Sequence, residues 1–244
     1  EFKTKNLNMW VDAPTVWIPD EVIQANNFGT RDEDLSGKEC YAGLDLASTD
    51  DLTALALFFP TLPHPVLRLF FWVPEAKIKQ KADRVDYRLW VQQGFITATE
   101  GDVVDTDYLS KDIERIFHLY RVKNLTYDPW MSTNGVIQHL EKVGYYNILD
   151  PIAQTITYLS EPTKDLQKRL QRREVDLMNN PVLRWMFRNV AIYTDPNMNI
   201  RLNKAKSTEK IDGCAASVNA IAGYISKTAS TREAYAGGRE IKII

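Results

Sequence analysis

Residues 39–47 read ECYAGLDLA, an apolar run suited to a strand, with a single carboxylate, Asp45, set inside it. Two more such runs follow, TALALFF at 53–59 and the aromatic-rich VLRLFFWV at 66–73. Only short turns separate them: Ser48-Thr49-Asp50-Asp51, then 60–65, which begins and ends in proline. Turns that short cannot hold a crossover, so the three strands are expected to form an antiparallel meander. Beyond Pro74 helix and strand alternate. Helices are expected at 82–93, 107–120 and 133–143, two of them stopped by Gly94 and Gly144, with strands at 122–127 and 146–149. The pattern is α/β: a mixed sheet, antiparallel in its first three strands and parallel after them, flanked by helices.

The second half is more broken. A basic helix is expected at 163–173, a short helix at 181–189, and a pairing of 190–194 with 199–202. A last helix is expected at 208–225, with an apolar stripe of Ile211, Ala215, Val218, Ala222 and Ile225. Residues 1–36, interrupted by Pro14 and Pro19, read as a strap on the main domain or the tail of a preceding one. The main domain is expected over 37–228 and a mobile tail over 229–244. The opening Glu1-Phe2, without a Met, is expected for a piece of a longer chain.

Composition sets the outer limits. The 244 residues are 44% hydrophobic and 25% charged, ample for a sizeable core. A formal net charge of −2 supplies no global attraction for nucleic acid, so an anionic partner must be held by a local patch. Cys40 and Cys214 form neither a disulfide framework nor a metal-ligand spacing, and a reducing cytosol is the expected compartment. No apolar run approaches the roughly 18 residues of a membrane span.

Three acids stand out by position. Asp45 lies within an apolar strand, where a carboxylate is costly unless paired or bound to a cation. Asp128 closes the strand at 122–127, in Tyr127-Asp128-Pro129-Trp130, and open α/β sheets place their sites at such strand ends. Asp212 sits in the first turns of the last helix. Each has a plainer reading: a solvent-facing strand residue, a turn-opening Asp, an acid complementing a helix dipole. They are 83 and 84 residues apart, so only folding brings them together. If the first and fourth strands are neighbours beneath the last helix, the three carboxylates converge. Their mutual repulsion then calls for divalent cations, and all-oxygen ligation favours Mg²⁺ or Mn²⁺ over Zn²⁺.

YAGLDLASTDDLTA at 41–54, YDPW at 127–130, Glu161 through NPVLRWMFRNV at 180–190, and KSTEKIDG at 206–213 fall in one order along the chain. Together they resemble the C-terminal nuclease domain of the large terminase subunit of tailed bacteriophages. The resemblance implies a ribonuclease H-like fold and metal-dependent endonuclease cleavage of concatemeric double-stranded DNA during genome packaging. It implies Asp45, Asp128 and Asp212 as catalytic, metal-binding acids in a two-ion hydrolysis, with Asp45 bridging. Asp51 matches a further acid near the site, with Asp50 as its rival in register. It also implies an N-terminal ATPase motor, a small terminase subunit and a portal as partners in the host cytoplasm. No Gly-x-x-x-x-Gly-Lys-Ser/Thr loop occurs in these 244 residues.

Residues 161–210 hold eleven bases against six acids, a local excess of +5 against −7 elsewhere. Such segregation fits phosphate binding by one face, and Arg172, Arg188, Lys204, Lys206 and Lys210 are its expected DNA contacts. Lys210, two residues before Asp212, is also placed to stabilise charge on a scissile phosphate; a solvated lysine at a helix start is the plainer reading. No base-reading element is visible, so little sequence preference is expected. The three histidines have no ligand spacing, and Trp130 and Trp185 are expected to pack in the core. Two other classes remain open: another ribonuclease H-like nuclease, such as a junction resolvase or transposase core, and a non-catalytic portal or capsid docking module.

Overall fold

The computed structural model describes residues 16–46, 52–79, 85, 87–131 and 134–237. Asp50, Asp51, the first part of the strap (1–15) and the end of the tail (238–244) lie outside the described residues.

The meander forms as its short turns require. Strands β1 (Glu39–Asp45), β2 (Thr53–Phe59) and β3 (Val66–Pro74) pair antiparallel in sequence order. Every residue of β2 is buried, because both faces of this strand are covered. Ala54, Ala56 and Phe58 face one apolar cluster, and Leu55, Leu57 and Phe59 face the other. Strand β5 (Arg121–Tyr127) then lies parallel to β1 on its other side, and β6 (Leu149–Pro151) lies parallel to β5. A short strand that the sequence pattern missed, β4 (Thr97–Thr99), runs parallel to β3 and completes the order β4-β3-β2-β1-β5-β6. Three residues are too few to show a period, which is why β4 escaped notice.

Helices α1 (Asp20–Ala25) and α2 (Asp32–Leu35) precede the sheet, and α3 (Glu75–Lys79) and α4 (Tyr87–Gln92) follow β3. Helix α5 (Thr106–Leu119) starts where the Asp105 carboxylate accepts hydrogen bonds from the Asp107 and Tyr108 amides. With α6 (Gly135–Leu140), capped by Asn134, it covers one face of the sheet. The expected strand at 146–149 is displaced: Tyr146–Ile148 is a 3₁₀ turn, and pairing begins only at Leu149.

The opposite face carries α7 (Ile156–Gln171), α8 (Pro181–Asn189) and α9 (Asp212–Gly237). Helix α7 starts earlier than the sequence pattern suggests and runs through Pro162. The proline forfeits one helical bond, but Leu159, Thr163, Leu166 and Leu170 form a buried stripe that holds the helix across it. Between α8 and α9 lies a hairpin of β7 (Ile192–Thr194) and β8 (Ile200–Leu202), with Tyr193 opposite Arg201, matching the expected pairing. Helix α9 passes the expected end at Ile225 and continues to Gly237, so the boundary drawn at 228 falls inside it. No proline or glycine follows Gly223 until Gly237, and nothing local stops the helix sooner.

Helix α9 lies very close to β1. A Cβ on Gly43 would overlap the Ala216 carbonyl oxygen and the Ala220 amide, and one on Gly223 would overlap the Asn124 and Thr126 side chains. Asn219, nearly buried, donates from Nδ2 to the Leu44 carbonyl at 3.1 Å, fixing the helix along the strand. The preceding segment packs on the same side through Trp17, Ile18 and Ile23. Burial of three such residues is worth about 1.5–3 kcal/mol each. The partly exposed Asp20–Arg184 pair adds about 1 kcal/mol at most, so the apolar contacts dominate.

Two predictions follow from this packing. Gly43→Ala must displace backbone, not a side-chain tip, so it should cost about 3 kcal/mol or more of unfolding free energy in urea denaturation; a loss under about 1 kcal/mol would show that α9 can move. The Arg184 hydrogen bond holds the Asp20 carboxyl at about 2, below its ordinary 3.8. Because the folded value is lowered, this stabilisation is present above 3.8 and is lost as pH falls through about 2. Arg184→Met should therefore lower the Tm by a few degrees at pH 7 and narrow its deficit towards pH 2; a pH-independent deficit would assign Arg184 to packing alone.

Candidate active site

The β1–β5 register explains how two distant acids meet. Gly43 pairs with Thr126 in the parallel ladder, and two residues further along each strand stand Asp45 and Asp128. Side chains two apart on a strand share a face, so Asp45 lies on the face that Gly43 presents to α9. On α9, Asp212, Ala216 and Ala220 are spaced four apart and therefore share one side of the helix. Because Ala216 and Ala220 cover Gly43, the first residue of α9 comes down over the end of β1.

One cation marks the meeting point. The Lys204 ammonium donates to Asp45 Oδ2 at 2.6 Å and to Asp212 Oδ1 at 3.3 Å. The two acid side chains are only 17% and 13% exposed, while the Lys204 side chain, entering from the open side, is 54% exposed. Burial of its tip acts to lower the lysine pKa, but the two carboxylates outweigh it and hold the ammonium above the usual lysine range. Asp45, Asp128 and Lys204 line a cavity of about 200 Å³ with Gln154, Thr163, Arg201 and Asn219. Asp128 Oδ1 accepts the Trp130 amide at 3.1 Å, which fixes the carboxylate at the start of the 3₁₀ turn Pro129–Met131. Asp212 joins the group through Lys204. Among the described residues, no three His, Cys, Asp or Glu side chains stand as close together as the ligands of one ion.

The other expected contacts scatter. Lys206 is exposed in the turn after β8, and Lys210 is half-buried just before α9. Arg172, at the end of α7, pairs with Glu174 at 3.9 Å. Arg188 lies close enough to Asp20 to help hold that carboxyl down. Neither arginine lines the cavity. Trp130 does not pack in the core: it is 87% exposed, because the turn after Asp128 carries it off the end of the sheet. Trp185 is half-buried against Tyr87 and Trp90. His139 Nε2 lies 2.9 Å from Glu114 Oε2, and His64 stacks on Phe28. Sequence reasoning missed Gln154, Thr163 and Asn219 as cavity residues. The available signal was Asn219, a polar residue within the small and apolar face of the last helix.

A sequence profile of the family described as terminase large subunit, endonuclease domain, matches residues 1–227. The large terminase subunit of Enterobacteria phage HK97 is 27% identical over 202 residues, which are 78% of this chain and 39% of that relative. The crystal structure of the HK97 large terminase matches at a TM-score of 0.77 and 25% identity, over 91% of this chain and 46% of that one. The crystal structure of the large terminase nuclease from thermophilic phage G20c shares the fold at 10% identity, with a TM-score of 0.50 over 76% of this chain and 83% of that one. The chain spans less than half the length of the HK97 protein. The six-stranded mixed sheet is thus the ribonuclease H-like sheet of terminase nucleases, and the chain belongs to the terminase large subunit endonuclease domain family.

Proposed function

We propose that this domain is an endodeoxyribonuclease that cuts concatemeric double-stranded DNA during viral genome packaging, using Mg²⁺ or Mn²⁺ held by Asp45, Asp128 and Asp212. The observation that carries the reading is the Lys204 ammonium shared by Asp45 and Asp212 at a cavity that Asp128 also lines. It is a place already holding positive charge among carboxylate oxygens. Hard oxygen donors of this kind fit Mg²⁺ or Mn²⁺, and with the ammonium as stand-in the donor set is compatible with divalent cations.

Two such ions would supply an activated water and neutralise charge on the leaving oxygen. Asp45 is assigned to both ions and Asp128 and Asp212 to one each, with Asp51 as a further acid and Asp50 as its rival. The carboxylates are presented from a strand end, a strand-following turn and a helix start, all rigid supports, so the reacting phosphodiester meets preset oxygens. Arg201 and Lys204 at the cavity, with Lys206 and Lys210 nearby in sequence, are assigned to the DNA backbone. Arg172 and Arg188 add positive charge at longer range. Phosphate contacts position DNA without reading it, so cleavage should show little sequence preference. The proposal extends to the full-length protein: an ATPase region that delivers DNA, and docking to a small terminase subunit and a portal in the host cytoplasm.

The test is cleavage of supercoiled plasmid in Mn²⁺ or Mg²⁺. Asp45→Asn, Asp128→Asn and Asp212→Asn should each retain the wild-type circular dichroism spectrum and lose at least about 100-fold in nicking rate, since loss of even an outer partner of a metal site costs about 10–100-fold. EDTA should abolish cleavage in the wild type. Full activity in any of the three variants, or cleavage indifferent to EDTA, overturns the assignment. A strong preference for four-way junctions over plain plasmid would move the domain to the resolvase class.

A further inference from the structure

We propose that Lys204 is the resident cation of this site: in the metal-free protein its ammonium fills the place between Asp45 and Asp212, and a divalent ion binds there only by displacing it. The inference rests on the metal-site reading above and adds how the site is kept closed. Its ground is the contrast in how the three partners are held. Asp45 and Asp212 are mostly buried on β1 and α9, and Asn219 locks those two elements together through the Leu44 carbonyl. The backbone that carries Lys204 is also pinned. The amides of Lys206 and Ser207 donate to the Asn203 carbonyl at 3.2 and 3.0 Å, closing the turn that follows β8.

Among the described residues that make this contact, the lysine stem is the part that can swing. It is unbranched, about half exposed, and reaches the acids from the solvent side. A rotamer change therefore opens the site without moving any secondary-structure element. Arg201 lines the same cavity but stacks its guanidinium over Tyr193 at 5.7 Å, leaving the contact with the two acids to Lys204.

The exchange has a direction. Asp45 and Asp212 together carry more negative charge than the one ammonium they share, so a divalent ion neutralises the pair better than Lys204 does. Yet Lys204 lowers the apparent metal affinity by the fraction of time it is in place. A displaced ammonium stays tethered at the cavity mouth, where a DNA phosphate can hold it out. Metal and DNA then favour each other's binding, because both select the swung-out lysine.

The experiment titrates Mn²⁺ into the DNA-free protein, reading free Mn²⁺ by its paramagnetic resonance signal, for wild type, Lys204→Gln and Asp45→Asn. Lys204→Gln should bind Mn²⁺ about tenfold more tightly, as expected if the ammonium occupies the site about nine-tenths of the time. Its Tm in EDTA should fall below that of the wild type, and its rise on adding Mn²⁺ should be the larger. Equal or weaker binding by Lys204→Gln, with wild-type binding still sensitive to Asp45→Asn, overturns this inference and spares the metal site. Wild-type binding indifferent to Asp45→Asn overturns both. A second measurement needs no variant: reductive methylation of the wild type, mapped by mass spectrometry, should modify Lys204 faster in Mn²⁺ than in EDTA. An unchanged rate would equally overturn the exchange.

Discussion

The close approach of α9 to β1 is the constraint on which the site depends. A helix resting on ordinary side chains is held off the sheet by their bulk. Here Gly43 offers no side chain, and the backbone of α9 at Ala216 and Ala220 descends onto the strand. Gly223 repeats the device over β5, against Asn124 and Thr126. Two glycines thus lower one helix onto two neighbouring strands, and those are the strands whose ends bear Asp45 and Asp128. The first residue of that helix is Asp212. Short reach matters because an aspartate has only one methylene between its backbone and its carboxyl group, so Asp45 and Asp212 share one ammonium only because their backbones approach.

The nearness of Asp45 and Asp212 raises a charge problem that Lys204 answers locally. Like charges brought together and partly desolvated would push one another towards protonation or apart. Lys204 supplies the counter-charge from a turn pinned by Asn203, opposite the two rigid acid-bearing elements. The repulsion between these two acids, which from sequence alone falls wholly to metal ions, is offset by the Lys204 ammonium.

What could be read from the sequence follows from which forces act locally. The meander was legible because short turns leave no other connection, and the helix expected at 107–120 was legible from its apolar face, lying within a residue of the observed Thr106–Leu119. The alternating pattern of helix and strand announced parallel strands after the meander, but the place of β5 beside β1 entered only as a condition and came from the structure. The start of α7 was not legible, since Pro162 looks like a breaker until the buried stripe on either side of it is known. Trp130 was misread because size and apolarity favour the core, whereas its place on a turn beyond the sheet is a property of the whole fold. The acids were conspicuous one by one, but the pairing of Lys204 with Asp45 spans 159 residues and leaves no local trace. Asn219 could have been noticed, as an amide where the helix otherwise carries small or apolar groups.

The division between rigid and movable parts has a consequence for how such a domain handles DNA. Hydrolysis needs preset oxygens, because a carboxylate that must be repositioned gives back part of what orientation contributes. A nuclease acting on a moving polymer also needs a way to be idle, and stiff acids alone do not provide one. Placing the adjustable element in a single lysine stem satisfies both needs, for the acids keep their geometry whether or not the stem is in place. It also keeps the energy of the change small, since a tenfold preference for the stem in place corresponds to only ~1.4 kcal/mol. Local ion concentration and the arrival of phosphate are then enough to shift the balance, with no rearrangement of the sheet or of α9.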